Sequence, residues 1–389
     1  MKPVTLLVGS VFGLVACQGA TSPRQKPPPG SGSTFYVDAN LGDNAASGDS
    51  AHPFRTIQHA ADLVNPGDVV VVRTGVYTGS GSVLDIERGG TAGHYVVFRA
   101  AVHWGAVLDG GQTSHTQPNG AENGVYLGAS FVRVEGFEIR NVWHDGISPS
   151  SGASDFQIVG NHVHDIGRYC ESRSIGLSGM TFINDNVVIE QNLIHDIGRD
   201  STGQNGCNPG NGYWENHDHG IYLSSGTNVI VRNNVFYNIT RGWAVQCYPG
   251  PLSQMYIANN TFAFPNPHRD GQIIVAARLT TGAIVNNIFY QPQTAGVLFE
   301  TATVSGLAVQ YNLTMGGPAS TGSGAGVTLS NNLDNTDPKV VNAVGLNFQL
   351  VAGSPAVDAG ATLAYVTNDF LGTIRPQGAA YDIGAFEFH

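Results

Sequence analysis

Phe156-Gln-Ile-Val-Gly-Asn161-His-Val-His-Asp-Ile166 and Val188-Ile-Glu-Gln-Asn192-Leu-Ile-His-Asp-Ile197 are two copies of one short pattern, in which alternating apolar residues surround an asparagine. Alternation with a period of two indicates β-strands. A repeat of about 25 residues that holds three short strands is typical of one coil of a parallel β-helix. Further copies occur at 229–239, 256–262 and 283–289, with the asparagine continuing at Asn312 and Asn332.

The repeated asparagine has a physical reason. At a tight inward bend its amide can donate to and accept from the same residue one coil above and below, so stacked copies satisfy each other inside the core. Asparagine also tolerates the left-handed backbone that such bends need. We therefore expect a buried ladder of asparagine side chains, through positions 161, 192, 234, 260, 287 and 312.

This arrangement resembles the asparagine ladder of the pectate-lyase-like superfamily over most of residues 34–389. Residues 35–57 and 67–77 are similar to the opening segment of bacterial β-helix proteins, and residues 353–360 and 375–387 resemble their closing segment. We expect a short capping helix over 56–63. The predicted fold class is all-β, a single-stranded right-handed parallel β-helix with a short N-terminal capping helix and caps at both ends.

The composition agrees with a β-rich exported protein. Charged residues make up 12% of the 389 positions, glycine occurs 51 times, and apolar residues reach 41%, enough for a sizeable core. The formal net charge of −11 argues against a nucleic-acid partner, because phosphate contacts need a basic face. A local group of arginines on an acidic body can still bind an anionic polysaccharide.

The N-terminus predicts export. Lys2 precedes an apolar run over 4–15, and Leu14-Val-Ala-Cys17 resembles the lipobox of bacterial lipoproteins, which implies that Cys17 is the lipidated first residue after cleavage. Residues 1–17 are then a lipoprotein signal peptide, 18–33 a Pro/Gly/Ser tether, and 34–389 the β-helix. We expect a protein held at a bacterial, and more specifically outer, membrane by its lipid alone. An ordinary signal peptide is the alternative, and the protein is secreted if the lipobox is not used.

The remaining cysteines follow from the export prediction. Cys170 and Cys207 each lie in a long segment before an equivalent strand, which predicts a disulfide between neighbouring coils in an oxidising compartment. Cys247 alternates with Val245 in an apolar strand and is expected to be a small buried hydrophobe.

Spacings between the asparagines locate two insertions. The intervals are 31 residues (161 to 192), 42 (192 to 234), 26 (234 to 260), 27 (260 to 287) and 25 (287 to 312), so two consecutive coils are enlarged. Both insertions precede the same strand of the coil, which we align at Gly146-Ile147, Gly176-Leu177 and Gly220-Ile221. Insertions of this kind gather on one face of a solenoid and commonly build its binding site.

The insertions and the coils beside them supply the candidate site. His217, His219, Tyr222 and Arg278 are the candidate catalytic residues, and the candidate substrate-binding residues are Arg173, Trp214, Trp243, Tyr248 and Arg269. We expect these residues to line one groove across adjacent coils. His217 and Asp218 are expected to be exposed and Tyr222 to face the groove. His219 is expected to lie inward, where a buried structural role is the alternative. The aromatic side chains suit stacking on sugars, although a tryptophan in a β-helix is equally often packed.

These residue types favour a polysaccharide lyase that cleaves an acidic, uronate-containing polysaccharide by β-elimination. That reaction must neutralise the uronate carboxylate, remove the neighbouring proton and protonate the leaving oxygen, which arginine or a cation, neutral histidine and tyrosine can do. Lysine cannot be the base here, because the lysines are at positions 2, 26 and 339. The histidine and tyrosine cluster also resembles that of β-helix alginate epimerases, which share the proton-abstraction step, so a uronate epimerase is an alternative.

Other readings stay open. A glycoside hydrolase needs a pair of carboxyls, which Glu171, Glu215, Asp218 or Asp270 can supply, and a noncatalytic carbohydrate-binding or surface role is a further alternative. No cofactor is certain, Ca²⁺ is possible, and a metal site at 217–219 has only weak support. The pairs at 144–145, 164–165 and 195–196 read as repeated His-Asp units, the last two as structural turn residues. The partners expected are a polysaccharide and, through the lipid, a membrane, with a monomeric protein.

Overall fold

A computed structural model describes residues 32–210, 216–300, 303–322 and 324–389. The chain winds as a right-handed parallel β-helix, in which each coil gives one strand to each of three parallel sheets. Sheet A consists of Thr34–Val37, Val69–Val72, Val96–Ala100, Val132–Glu135, Phe156–Val159, Val187–Glu190, Gly226–Arg232, Leu252–Ala258, Arg278–Val285, Thr303–Gln310 and Val327–Ser330.

The other two sheets follow the same order along the solenoid. Sheet B consists of Gly75–Tyr77, Ala106–Asp109, Glu138–Arg140, His162–Ile166, Leu193–Ile197, Val235–Tyr237, Thr261–Ala263, Ile288–Tyr290 and Leu313–Met315. Sheet C consists of Ser82–Ile86, Asn123–Leu127, Asp145–Pro149, Ser178–Phe182, His219–Leu223, Val245–Cys247, Ile273–Val275, Val297–Phe299 and Ser320–Thr321. Within a coil the chain passes from sheet A to B to C.

The core forms because the period of two in each strand sends every second side chain inward, where it meets the equivalent residue of the next coil. The rings of Phe236, Phe262 and Phe289 show this stacking, with centroids 4.8 and 5.2 Å apart in successive pairs. Cys247 is a free thiol that is fully buried in this core, as predicted.

The predicted asparagine ladder is present at the bend between sheets A and B. Asn260 is representative: its Oδ1 accepts from both the backbone N–H and the Nδ2 of Asn234, at 2.9 Å each. Its Nδ2 donates to the carbonyl of Val231 at 2.9 Å and to Oδ1 of Asn287 at 3.0 Å. The ladder runs through positions 161, 192, 234, 260, 287, 312 and 332.

One expectation about the ladder is wrong. The ladder asparagines do not adopt the left-handed backbone; the residue before each of them does. That preceding residue is often a second asparagine, such as Asn259 with a φ of 53°. Two successive residues therefore form the bend. The first reverses the chain, and the second points its amide into the core.

A short helix covers the N-terminal end of the solenoid. The helix spans Ile57–Ala61, within the predicted 56–63, and the side chain of Thr56 caps it by accepting from the N–H of His59. This cover is needed because an uncovered coil exposes unpaired strand edges. After the last coil the chain forms the antiparallel pair Val340–Asn342 and Asn347–Leu350, and Phe348 of this pair packs on the outer face of sheet B against Tyr237.

The C-terminal segment then runs back along the outer side of the bend between sheets A and B. The left-handed asparagines of that bend hold it, since Asn233 donates to the carbonyl of Asn368 at 2.7 Å, and Asn259 to that of Asp382 at 2.9 Å. A buried ion pair between Arg375 and Glu387 closes the segment. The repeated Asn-Asn pair thus binds the core with one amide and the C-terminal segment with the other.

Residues 1–31 lie outside the described part, so the signal peptide, the tether up to that point and the lipidation of Cys17 stay predictions. Among the residues described, no helix has the length and apolar character needed to cross a membrane.

Candidate functional site

The described parts of the two insertions, 167–177 together with 198–210 and 216–218, lie side by side at the corner between sheets B and C. The predicted disulfide joins them, with the Cα atoms of Cys170 and Cys207 5.2 Å apart. A third loop, 110–122, packs against both insertions through His115. The carbonyl of His115 accepts from the N–H of Cys170, and the ring nitrogen Nδ1 of His115 lies 2.8 Å from Oδ2 of Asp200. The spacing of asparagines missed this loop because it precedes the first ladder residue.

The predicted alignment of the strand after the first insertion is wrong. Met180 pairs with Ile147 on one side and Ile221 on the other, so the strand that follows the insertion is Ser178–Phe182. Gly176-Leu177 belongs to the insertion instead, and the backbone N–H of Leu177 donates to Oδ1 of Asp218 at 2.9 Å. The pair Gly176-Leu177 has the same pattern as the start of the repeated strand, but it packs beneath the insertion.

A fully buried ion pair fixes the position of the loops. The guanidinium of Arg199 donates to Asp218 through Nε at 2.8 Å and through a terminal nitrogen at 2.7 Å, and both side chains have zero exposure. Arg199 also donates to the carbonyls of Glu171 and Arg173, at 3.1 and 3.0 Å. Asp218 was expected to be exposed, and this is wrong. The signal for Arg199 was its place in a repeated His-Asp-Ile-Gly-Arg, at 164–168 and 195–199.

Five of the predicted residues form one cluster on the groove side of sheet C. His219 is at the centre and is 2% exposed. Its ring stacks on Tyr222 at 5.6 Å and on Trp243 at 5.8 Å, and the ring of His217 meets its edge at 5.8 Å. The guanidinium of Arg269 lies 5.0 Å from the centroid of Trp243, on the face of its indole.

The orientation of the cluster follows from the strand. Ile221 and Leu223 are fully buried in the core, so Tyr222 points outward, as predicted. Gln246 is its register partner on the next coil, and the Oε1 of this glutamine is buried without a hydrogen-bond partner in the described part of the chain. Trp243 is buried rather than open to stack on a sugar, and its Nε1 donates to the carbonyl of Asp270 at 2.9 Å.

Burial sets the protonation of these groups. It lowers the pKa of His217 and outweighs the charge of Asp218, which raises this pKa, while the positive charges of Arg199 and Arg269 lower it further. For His219 burial is again the largest cause, and its pKa lies well below the ordinary value. Burial raises the pKa of Tyr222, with a contribution from Tyr248. At neutral pH the cluster therefore presents two neutral imidazoles and a protonated phenol beside a guanidinium.

The remaining predicted residues surround this cluster. Tyr248 is exposed and follows the next strand of sheet C, close enough to Tyr222 to affect its pKa. Arg278 is exposed at that same far end, where its backbone N–H donates to the carbonyl of Pro249, so the structure does not bring it to the histidines. Arg173 is engaged by Glu171, to which Nε donates at 2.9 Å. Trp214 lies outside the described residues.

A further histidine belongs to this region, although the sequence predicted it only as part of a repeated His-Asp unit and not as a site residue. His144 lies 3.3 Å from Oδ2 of Asp145, through its Nδ1, and the charge of Arg173 acts on it. Burial lowers the pKa of His144, but Asp145 and Glu122 outweigh burial and the net shift is upward. Its place in the His-Asp repeat concealed it, because Asp145 begins a strand of sheet C whereas the other copies lie on sheet B.

The candidate metal site of the described residues lies outside this cluster. Within the described ranges, the side chains that can jointly hold a metal ion are His162, His164 and His195, on sheet B. A cleft of about 410 Å³ lies at the N-terminal end, lined by Arg55, Gln58 and Asp85 among others, far along the solenoid from His219.

Comparison with known proteins agrees with this architecture. Residues 119–342, more than half of the chain, match the family described as "Right handed beta helix region". The chain belongs to this family. The uncharacterized protein YwoF of Bacillus subtilis (strain 168) is 32% identical over 88 residues, which are 23% of this β-helix protein but only 18% of YwoF.

Solved structures add the shape of the whole solenoid. The crystal structure of pectate lyase Pel9A is similar with a TM-score of 0.59 and 13% identity, covering 92% of this chain and 96% of that one. A rhamnogalacturonan lyase has a TM-score of 0.46 and 16% identity, over 81% of this chain and 92% of its own. At these identities the likeness shows the fold alone, which is a pectate-lyase-like right-handed parallel β-helix.

Proposed function

We propose that this protein is a carbohydrate-active β-helix that cleaves an acidic polysaccharide by β-elimination on the groove side of sheet C. One observation carries the proposal: an exposed guanidinium, that of Arg269, lies on the buried ring of Trp243 beside neutral imidazoles and a neutral phenol. Arg269 has no carboxylate partner among the described residues. A cation that is held in place without a partner is suited to the carboxylate of a uronate.

The roles follow from exposure and protonation. Arg269 neutralises the uronate carboxylate and so acidifies the proton on the adjacent carbon. Neutral His217, which is partly exposed, accepts that proton. The hydroxyl of Tyr222 donates a proton to the glycosidic oxygen as its bond to the neighbouring carbon breaks and a carbon–carbon double bond forms.

The other predicted residues take supporting roles in this proposal. His219 is too buried to reach a substrate, so it acts as a positioning residue that stacks on Tyr222. Tyr248 and Arg278 lie at the far end of the strand, where they suit neighbouring sugars of the chain. Arg173 binds substrate only in part, because Glu171 already neutralises it.

The alternative of hydrolysis has less support from the carboxyl groups. Burial tends to raise the pKa of Glu171, but hydrogen bonds from Arg173 and Tyr169 lower it to about 2, so this group cannot supply a proton. Asp218 is fully buried in its ion pair with Arg199. Glu215 lies outside the described residues, and of the three carboxyls that are described only Asp270 is exposed. A pectate lyase with the same overall shape also supports a polysaccharide substrate.

The test is incubation of the purified protein with a panel of uronate polysaccharides, with the conjugated unsaturated product followed by ultraviolet absorbance. We expect turnover of one or more polymers. Arg269→Gln should reduce kcat/KM by about 100-fold, on the scale of a lost charge-assisted contact. The matched control is Arg99→Gln, an exposed arginine on sheet A, which should leave the rate unchanged.

Three outcomes would overturn the reaction or its site. Reducing ends without the unsaturated product would replace elimination by hydrolysis. Saturable binding without any product would leave a carbohydrate-binding solenoid. Equal rates for Arg269→Gln and Arg99→Gln would remove the groove as the site.

A further inference from the structure

Three histidines form a compact group on the outer face of sheet B, away from the groove. His162 and His164 are two residues apart on one strand, so they share a face, and His164 pairs in register with His195 of the next coil. One ring nitrogen of each lies within 4.8 Å of those of the other two. Nε2 of His162 and Nε2 of His195 are 2.7 Å apart.

Carboxylates orient two of these rings. Nδ1 of His164 lies 2.8 Å from Oδ2 of Asp165, and Nδ1 of His195 lies 2.6 Å from Oδ2 of Asp196. An Nδ1–H that donates to a carboxylate leaves the lone pair on Nε2, toward the other rings. This carboxylate–histidine arrangement is the one that orients histidine ligands in metal sites. The two aspartates therefore orient these rings as carboxylates orient histidine ligands.

Packing holds the rings in these positions. His195 stacks on Tyr237 at 4.3 Å and 11°, and His162 packs against Trp104 at 4.7 Å. The rings of His164 and His195 are themselves nearly parallel, 5.1 Å apart. A group whose rotamers are fixed on both sides loses little freedom when it binds an ion.

We propose that Nε2 of His162, His164 and His195 bind one divalent transition-metal ion of the zinc class. Imidazole is a ligand suited to Zn²⁺, Cu²⁺ and Ni²⁺ rather than to Ca²⁺ or Mg²⁺. A tetrahedral ion with bonds of about 2.0–2.1 Å places its ligand nitrogens about 3.3 Å apart. Nε2 of His162 and Nε2 of His195 are now 2.7 Å apart, and one ring nitrogen of each of the three histidines lies within 4.8 Å of the others, so the rings must turn within their present positions to bind the ion.

A fourth ligand is within reach on the preceding coil. Oε1 of Glu138 lies 3.3 Å from Nε2 of His164, and Glu138 pairs in register with His162. The same oxygen accepts from Arg140 at 2.6 Å, so it must share this bond or give it up to reach the ion. With this carboxylate the ion joins three consecutive coils, close to where the C-terminal segment packs on Tyr237 through Phe348. The bound ion then cross-links the coils, and this site is independent of the polysaccharide chemistry.

The experiment is a titration of the chelator-treated protein with Zn²⁺ at neutral pH, in protein expressed without a polyhistidine tag. We expect about one equivalent to bind, and the midpoint of thermal unfolding to rise with Zn²⁺. The double variant His164→Gln/His195→Gln should lose at least about 100-fold in affinity, because two of three imidazole ligands are removed. The matched control, His52→Gln/His94→Gln, removes two exposed histidines and should bind as the unmodified protein does.

A second variant covers the case in which the double variant does not fold. Asp196→Asn leaves all three rings in place and should weaken binding by about 10- to 100-fold, the range seen when a carboxylate behind a histidine ligand is lost. Binding of Co²⁺ should give the visible absorption of a tetrahedral site. The proposal is overturned if the unmodified protein shows no saturable binding, or if Asp196→Asn or the double variant binds with unchanged affinity.

Discussion

The asparagine ladder should respond to mutation according to depth within the solenoid. Asn260→Ala removes an amide that is fully buried near the middle. The backbone N–H of Asn234, the Nδ2 of Asn234 and the carbonyl of Val231 then each lose one hydrogen bond, although Nδ2 of Asn234 keeps its bond to the carbonyl of Ile189. At roughly 1–3 kcal/mol for each buried hydrogen bond lost, the range is about 3–9 kcal/mol. A water molecule that enters the vacated space brings the expectation to about 3–5 kcal/mol.

The last rung provides the matched control. The side chain of Asn332 makes the same contacts, to Asn312 and to the carbonyl of Val309, but it is only partly buried. Solvent can replace its amide at the end of the stack. Asn332→Ala should therefore cost about 0.5–1.5 kcal/mol, the ordinary net value of a hydrogen bond.

Two measurements check the difference. Guanidinium chloride unfolding, followed by circular dichroism, gives the free energy of unfolding provided that the slope m is unchanged. A solenoid can unfold in segments, so hydrogen exchange should also be measured on peptides that contain Asn234, where exchange should accelerate in Asn260→Ala. Equal costs for Asn260→Ala and Asn332→Ala, or unchanged exchange at Asn234, would refute the view that buried amides stabilise the coils.

Three further results are expected. Asp218→Asn leaves the buried guanidinium of Arg199 without its counter-charge and should cost about 3–5 kcal/mol, with faster proteolysis in 198–210, whereas the exposed control Asp270→Asn should change neither. The free energy of unfolding should fall as the pH is lowered from about 7.5 to 5. The pKa of His219 is depressed in the folded protein, so below a pH of about 6.5 the unfolded chain binds a proton on this histidine that the folded protein does not. The shift of the guanidinium midpoint with pH should be smaller in His219→Gln, and a flat profile in the unmodified protein would contradict this. We propose that Cys17 carries a lipid, so Cys17→Ser should release the protein from membranes on fractionation, and full retention would argue against lipidation.

The candidate site was only partly predictable. The cysteine pairing came from the position of two insertions before equivalent strands, and the outward direction of Tyr222 came from simple alternation with its neighbours. The burial of Trp243 and of Asp218 could not be read in this way. Both lie in loops, where no period relates a side chain to a face, and their surroundings come from other coils.

Some residues of the site were not predicted, because their contacts join positions that are far apart in the sequence. Arg199 reaches carbonyls 26 and 28 residues away, and the charge of Arg173 acts on His144 across two loops. The histidines of sheet B show the same limit. Their His-Asp repeat was visible and was interpreted as structural, but only the register of the strands brings the ring nitrogens of His162 and His195 to 2.7 Å.

The sequence by itself determined the coil, its repeat and the amide that turns its corner, because strands and tight bends depend on neighbours within a few positions. The φ of Asn259 shows where this local information ends, since the chain reverses one residue before the amide that faces inward. Only the tertiary structure decided which loop residues meet over sheet C and which histidines meet over sheet B. Those contacts are set by the stacking of coils, which places residues 20 to 90 positions apart within hydrogen-bond distance.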